Sequence, residues 1–180
     1  NTNKKKEILW SDIRKSYKSP INKGLKEQTF QVIDYLNLDY DKFKSIQDLH
    51  FKISGRKTRS NKSWDLQYAS IKNDNSFAFI SFDEKKNDLL SAVYFYKSND
   101  HAYYGTGLYT EESKKNLYGY SLIWKAILYC IERGINLCEL DDNVKFNWMK
   151  HFEKKLIDIS FLKSGFGGDL KPRLIFSIKR

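Results

Sequence analysis

Proline and cysteine are nearly missing from this chain of 180 residues, with two of each. So few prolines exclude a proline-rich linker or recognition tract. The two cysteines, Cys130 and Cys138, lack CxxC spacing and an adjacent histidine, so neither a disulfide framework nor a zinc site is indicated; reduced, buried thiols are expected. The three histidines, His50, His101 and His151, are scattered, and Asp141-Asp142 is a lone acidic pair, so no metal is expected. No apolar run approaches the ~18 residues that span a bilayer, and the basic start NTNKKKE has no apolar stretch after it. These absences point to a cytoplasmic chain with no transmembrane segment. Its first residue is not Met, which is compatible with an excised part of a longer protein.

Aromatic residues are abundant, at 16% with 12 Tyr and 12 Phe, and hydrophobic residues reach 41%, so the body of the chain should fold around a real core. Lysine and arginine outnumber acids by 32 to 22, a net charge of +10. Such a field favours polyanions: nucleic acid, anionic membrane or phosphorylated small molecules. A general lysine bias in composition explains part of it.

The periodicity changes along the chain. Glu7 to Lys18, EILWSDIRKSYK, reads as a helix that Ser19-Pro20 breaks or kinks. Phe30 to Tyr35 suits a strand, and Asp41 to Ser54 a helix with Gly55 placed to end it. Ser63 is a candidate cap for the next helix, WDLQYASIK. Ser76–Phe82, Leu89–Tyr96 and His101–Tyr109 then read as three strands of an antiparallel meander, separated by turn-forming segments. A long amphipathic helix is expected over Lys115–Arg133, ending at Gly134, followed by the strand INLCELDD, a helix over Lys145–Lys163 and a last strand, LKPRLIFSIK. We divide the chain into a basic helical segment, 1–29, and an α+β domain, 30–180.

Several residues could carry chemistry. Arg14, Lys15 and Lys18 gather at three-to-four spacing, and Arg56, Lys57 and Arg59 share the loop GRKTRSNKS; arginine forks among lysines suit phosphate, although a solvated charged face looks the same. His50 is a structural histidine or a general base. Tyr103, Tyr104 and Tyr109 are packing candidates, though a strand hydroxyl can also meet a reacting amide. In SFLKSGFGGDL, Lys163 falls in a last helical turn, where a cation suits the dipole, and Gly165 is placed for a left-handed cap.

Three strands, a crossing helix, a strand, a helix and a strand form the element order of the GNAT N-acyltransferase fold: an α+β, mainly antiparallel mixed sheet flanked by helices. Its members hold a pyrophosphate on a Q/R-x-x-G-x-G/A turn at a helix start, and the nearest fit is Asn116, Gly119 and Ser121, which departs at both ends. IRKSYKSPINKG, DLHFKISGRKTRSNKSWDLQ, SAVYFY with AYYGTGLY, and FLKSGFGGDLKPRL together resemble the C-terminal half of FemAB-like proteins, a GNAT branch.

That resemblance implies transfer of an acyl or aminoacyl group to an amine on a phosphorylated cell-envelope precursor, such as a sugar nucleotide or peptidoglycan precursor. The donor would be acyl-CoA, acetyl-CoA for instance, or aminoacyl-tRNA. The family's carbonyl-stabilising lysine matches Lys163, with Leu162 where the family has phenylalanine, and the basic region of Arg14 and Lys18 matches its acceptor-phosphate region. The amine's proton would go to substrate phosphate, water or His50. The family pairs two GNAT-like halves, so this chain corresponds either to one half of a longer protein or to a one-domain relative. Two other readings compete: a basic module that binds RNA or nucleotide-sugars without catalysis, and a structural half-domain that docks a second GNAT-like domain.

Overall fold

A computed structural model describes residues 2, 5–140, 152–170 and 178. Asp141-Asp142, His151, the start of the helix expected from Lys145 and nearly all of the expected last strand lie outside the described residues. In chain order the elements are α1 (Lys6–Asp12), α2 (Lys15–Glu27), β1 (Gln28–Ile33), α3 (Tyr40–Ser54), α4 (Asn61–Lys72), β2 (Ser76–Asp83) and β3 (Leu89–Ser98). They continue with β4 (His101–Tyr109), α5 (Glu111–Asn116), α6 (Gly119–Glu132), β5 (Leu137–Glu139) and α7 (Lys154–Ser164).

The five strands form one sheet in the order β1-β2-β3-β4-β5. The first four pair antiparallel, and β4 pairs β5 in parallel. Both faces are covered, which is why β2 and β3 read as nearly unbroken apolar runs. On one face Phe77, Phe79, Val93, Phe95 and Tyr104 pack with Tyr17 and Ile21 of α2 and Leu122, Ile123 and Ile127 of α6. On the other, Ala78, Ile80, Ala92, Tyr94 and Leu108 pack with Phe43, Ile46 and Leu49 of α3 and Trp64 and Ile71 of α4. The expected meander, and the α3 ending with Gly55 in the left-handed conformation, are both present.

Several boundaries differ from the sequence reading, each for a local reason. The helix expected over Glu7–Lys18 is two helices, because Ile13 and Arg14 are extended: Ile13 is buried and the Arg14 N–H donates to the Gly165 carbonyl at 2.9 Å. Pro20 lies inside α2 rather than ending it, and the Ser16 carbonyl that loses its helical donor belongs to an exposed residue. The first strand stops at Ile33, since the Asp34 carboxylate accepts from the Leu36 and Asn37 N–H groups and turns the chain. Ser60, not Ser63, caps α4; its hydroxyl accepts from the Ser63 N–H. The long helix expected from Lys115 starts at Gly119, because Leu117 adopts φ +59° and separates it from α5. Gly165 remains right-handed at φ −75°, and the positive φ values fall on Gly167 and Gly168. Gly165 is needed for another reason: a Cβ there would collide with the Tyr17 ring.

Cys130 in α6 is buried and Cys138 in β5 half-buried, both as free thiols; a hydrogen bond with Cys138 that favours the protonated form, then burial, pushes the Cys130 thiol far up. Among the described residues no helix is long and apolar enough to cross a membrane, and no three metal-ligating side chains gather.

Candidate functional site

The site is organised by the point at which β5 stops pairing. Leu137, Cys138 and Glu139 match His101, Ala102 and Tyr103, and from Tyr104 to Tyr109 no described residue continues the ladder on that edge of β4. A register shift between Tyr94 and Phe95 places Gly105 as an extra residue at this point. The Tyr104 side chain therefore joins the α6 face, while Thr106 meets the segment between α3 and α4. A strand segment unpaired on one edge among the described residues, with an exposed glycine and approached from both faces, can present backbone groups to an extended ligand.

On the α6 face, Lys163 comes down from the last turn of α7. It is 8% exposed, with its Nζ 4.7 Å from the centroid of the Tyr104 ring. The Tyr104 hydroxyl lies over Gly107, where a Cβ would collide with it, and shares a 3.0 Å hydrogen bond with the Tyr109 hydroxyl. Burial first, then the Tyr104 hydroxyl, pushes the Tyr109 phenol well above its usual range, so it stays protonated. The Tyr109 ring in turn lies beneath Gly119, where a Cβ would approach it to 2.5 Å. Lys163, Tyr104, Tyr109 and Gly119 thus form one chain of contacts from the end of α7 to the start of α6.

The start of α6 is engaged from inside. Ser121 is fully buried; its hydroxyl donates to the Tyr118 carbonyl and accepts from the Gln28 amide, both at 2.8 Å. Asn116 accepts from the Lys23 ammonium at 3.1 Å and donates to the Glu112 carbonyl. The Tyr118 hydroxyl donates to Glu27 at 2.6 Å, and burial, followed by that carboxylate, pushes its phenol up to about 12. What the turn offers an anion is therefore the backbone and dipole of a 14-residue helix, rather than the Asn116 or Ser121 side chain.

On the opposite face, Arg59 donates to the Thr106 hydroxyl at 3.1 Å and lies 5.4 Å from the Trp64 ring. His50 packs edge-on against the same ring at 5.3 Å. Burial first, and the Arg59 charge second, lower the pKa of His50, leaving it neutral at neutral pH. With Arg56, Lys57 and Thr58 these side chains line a cleft of about 180 Å³. A larger groove, about 740 Å³, runs between α3, the start of β3 and α5, and Lys163 is not among its lining residues.

The predicted residues therefore divide into groups. Lys163 meets β4 from the α6 face and Arg59 meets it from the α3 and α4 face, with Arg56 and His50 beside Arg59 in the cleft. Arg14 joins the end of α7: its guanidinium donates to Tyr17 and Ser164 and stacks on Phe161 at 4.1 Å. Lys18 lies apart, donating to the Ser11 carbonyl at 3.4 Å with its ammonium over Trp10. Sequence reasoning missed Tyr17, Trp64 and Thr106. The one available signal was local: Trp64 directly follows the basic loop that it supports.

No protein-family model matches the sequence, and no curated protein matches it. Solved structures do match the fold. An aminoglycoside acetyltransferase from an uncultured soil metagenomic sample, in complex with sisomicin, superposes with a TM-score of 0.60 at 14% identity, over 86% of this chain and 98% of that one. FemX superposes with a TM-score of 0.66 at 12% identity, over 92% of this chain and 56% of FemX, so this chain corresponds to about half of that protein. The aminoglycoside acetyltransferase AAC(6')-Iy, bound to a bisubstrate analog containing CoA, gives 0.60 at 11% identity, over 85% and 98%. With its mainly antiparallel five-stranded sheet between helices, the chain has the α+β fold of these acetyltransferases and of FemX.

Proposed function

We propose that the chain is an N-acyltransferase that moves an acyl group from a donor ester or thioester to an amino group of a phosphorylated small molecule. One observation carries the reading: a lysine that is 8% exposed is held over Tyr104 beside the length of β4 that no described residue pairs on its β5 edge. An amine attacking an acyl carbonyl forms a tetrahedral oxyanion. A fixed cation next to that oxygen is worth ~3 kcal/mol, or a hundredfold or more in rate. Lys163 is the residue proposed for this role.

The acceptor's phosphate is proposed to lie in the cleft of Arg56, Lys57 and Arg59, where Arg59 is already oriented by Thr106 and Trp64. The attacking amine must lose a proton, and substrate phosphate, water or the neutral imidazole of His50, which lies on the sheet face opposite Lys163, are the groups proposed to accept it. The tetrahedral intermediate then collapses to an amide and expels the donor's thiol or hydroxyl. Acyl-CoA is the favoured donor, since the similar acetyltransferase is complexed with a CoA analog. Its pyrophosphate would meet the backbone start of α6 at Gly119. An envelope precursor as acceptor follows from the FemAB resemblance.

The test is transfer from acetyl-CoA to an amino sugar phosphate, compared with the same sugar lacking phosphate. Activity should favour the phosphorylated acceptor, and Lys163→Ala should lower kcat about a hundredfold or more. Loss of the ring contact by itself should cost about 1 kcal/mol of stability. Full activity of that variant would remove the catalytic assignment. Absence of transfer from both acetyl-CoA and aminoacyl-tRNA would remove the enzyme reading.

A further inference from the structure

Arg14 is the cation that the sequence assigns to an acceptor phosphate, yet its surroundings give it a different task. It lies in the two-residue extended break between α1 and α2 and is half-buried. Its N–H donates to the Gly165 carbonyl at 2.9 Å, one guanidinium nitrogen donates to the Tyr17 hydroxyl at 3.1 Å, and the other to the Ser164 hydroxyl at 3.2 Å. The guanidinium plane also stacks on Phe161, 4.1 Å from its centroid. These contacts place a positive charge at the C-terminal end of α7, where the carbonyl groups and the helix dipole favour it.

Tyr17 completes the arrangement. Its hydroxyl donates to the Phe161 carbonyl at 3.2 Å, and its ring fills the space that a side chain on Gly165 would need. The same ring packs edge-on against Tyr120 at 4.4 Å, one residue beyond Gly119, and against Phe166 at 5.6 Å. Burial first, then Tyr120, pushes its phenol up to about 12, so it remains a hydrogen-bond donor. Phe161, Ser164 and Gly165 flank Lys163 on both sides in sequence, and each is held by Arg14, Tyr17 or both. Tyr17 therefore links the turn that carries Lys163 to the first turn of α6.

We infer that Arg14 and Tyr17 are positioning residues: a strut from the α1–α2 break that fixes the last turn of α7, and with it the Lys163 ammonium, relative to the start of α6. The inference rests on the reading of Lys163 as the carbonyl-stabilising cation only for its effect on rate; the placement of the ammonium can be measured without any reaction. Lysine at position 14 keeps the charge but loses the planar fork and the stacking on Phe161.

The experiment measures the rate at which Lys163 is labelled by an amine-reactive reagent, by peptide mass spectrometry at a temperature well below Tm, in wild type, Arg14→Lys and Tyr17→Phe. The strut predicts several-fold faster labelling of Lys163 in Arg14→Lys and a smaller increase in Tyr17→Phe, which keeps its ring. In the transfer assay it predicts a fall in kcat of about ten- to hundredfold with the acceptor KM nearly unchanged, as expected for a misplaced catalytic group. Unchanged labelling in both folded variants would overturn the strut. A raised KM for the phosphorylated acceptor, with kcat and labelling unchanged, would return Arg14 to the phosphate. If the wild type transfers no acyl group, the proposed function fails while the labelling rates still decide the strut.

Discussion

Replacing Asp34 by alanine removes a carboxylate that is 1% exposed and accepts five hydrogen bonds. Oδ1 takes the Leu36 N–H, the Asn37 N–H and the Asn37 side-chain amide, and so shapes the turn after β1. Oδ2 takes the Tyr129 hydroxyl and an Arg133 N–H, both at 2.7 Å, tying that turn to the end of α6. Removing one partner of a buried ion pair costs roughly 3–5 kcal/mol. The Arg133 side chain is 32% exposed and can recover part of its hydration, so the lower end applies, about 3 kcal/mol. For a chain of this size that lowers Tm by about 6–12 °C.

Asp34→Asn keeps an acceptor for the turn but presents an amide N–H to Arg133, and about 2 kcal/mol should be lost. Burial raises the Asp34 pKa, but the bonds from Tyr129 and Asn37, together with the Arg133 charge, outweigh it and hold the carboxyl below its usual value. A depressed folded pKa contributes stability that is complete above the unfolded value near ~3.9 and disappears as pH falls through the folded one. Urea denaturation of wild type and Asp34→Asn from pH 7 to pH 2 should show their difference shrinking only in that acid range. A loss below about 1 kcal/mol for Asp34→Ala, or a wild-type advantage over Asp34→Asn that persists unchanged to pH 2, would refute the reasoning.

Gly165→Ala pushes a Cβ into the Tyr17 ring in an otherwise ordinary helical conformation, so overpacking should cost roughly 1–3 kcal/mol. Thermal denaturation checks it, and a companion Tyr17→Leu substitution, which removes the ring from that space, should recover part of the loss. If His50 accepts the amine proton, kcat/KM should fall as acid charges it, at a pH below the usual histidine value of ~6.5 because burial and Arg59 depress its pKa. His50→Gln should lower the rate and flatten that acid limb, and an unchanged limb would assign it to another group.

The elements of this protein were legible wherever neighbours within about four residues decide them. The apolar runs of β2, β3 and β4, the Gly55 stop of α3, and the amphipathic pattern of α6 need no long-range information. Boundaries went astray where a distant group intervened, as at Ile13–Arg14, where the partner is Gly165, or where one backbone angle did, as at Leu117. Lys163 and the basic loop were identifiable as candidates from composition, spacing and resemblance. Which side chains face them was not, because Arg59 meets Thr106 across 47 positions and Arg14 meets Ser164 across 150. Local propensity carries no term for such separations; only the packing of α6 and α7 on one sheet face, and of α3 and α4 on the other, brings Lys163 and Arg59 to the length of β4 that no described residue pairs on its β5 edge. The sequence by itself determined that a lysine ends a helix in a glycine-rich segment, and tertiary structure decided that its ammonium turns inward over the Tyr104 ring, where it is buried.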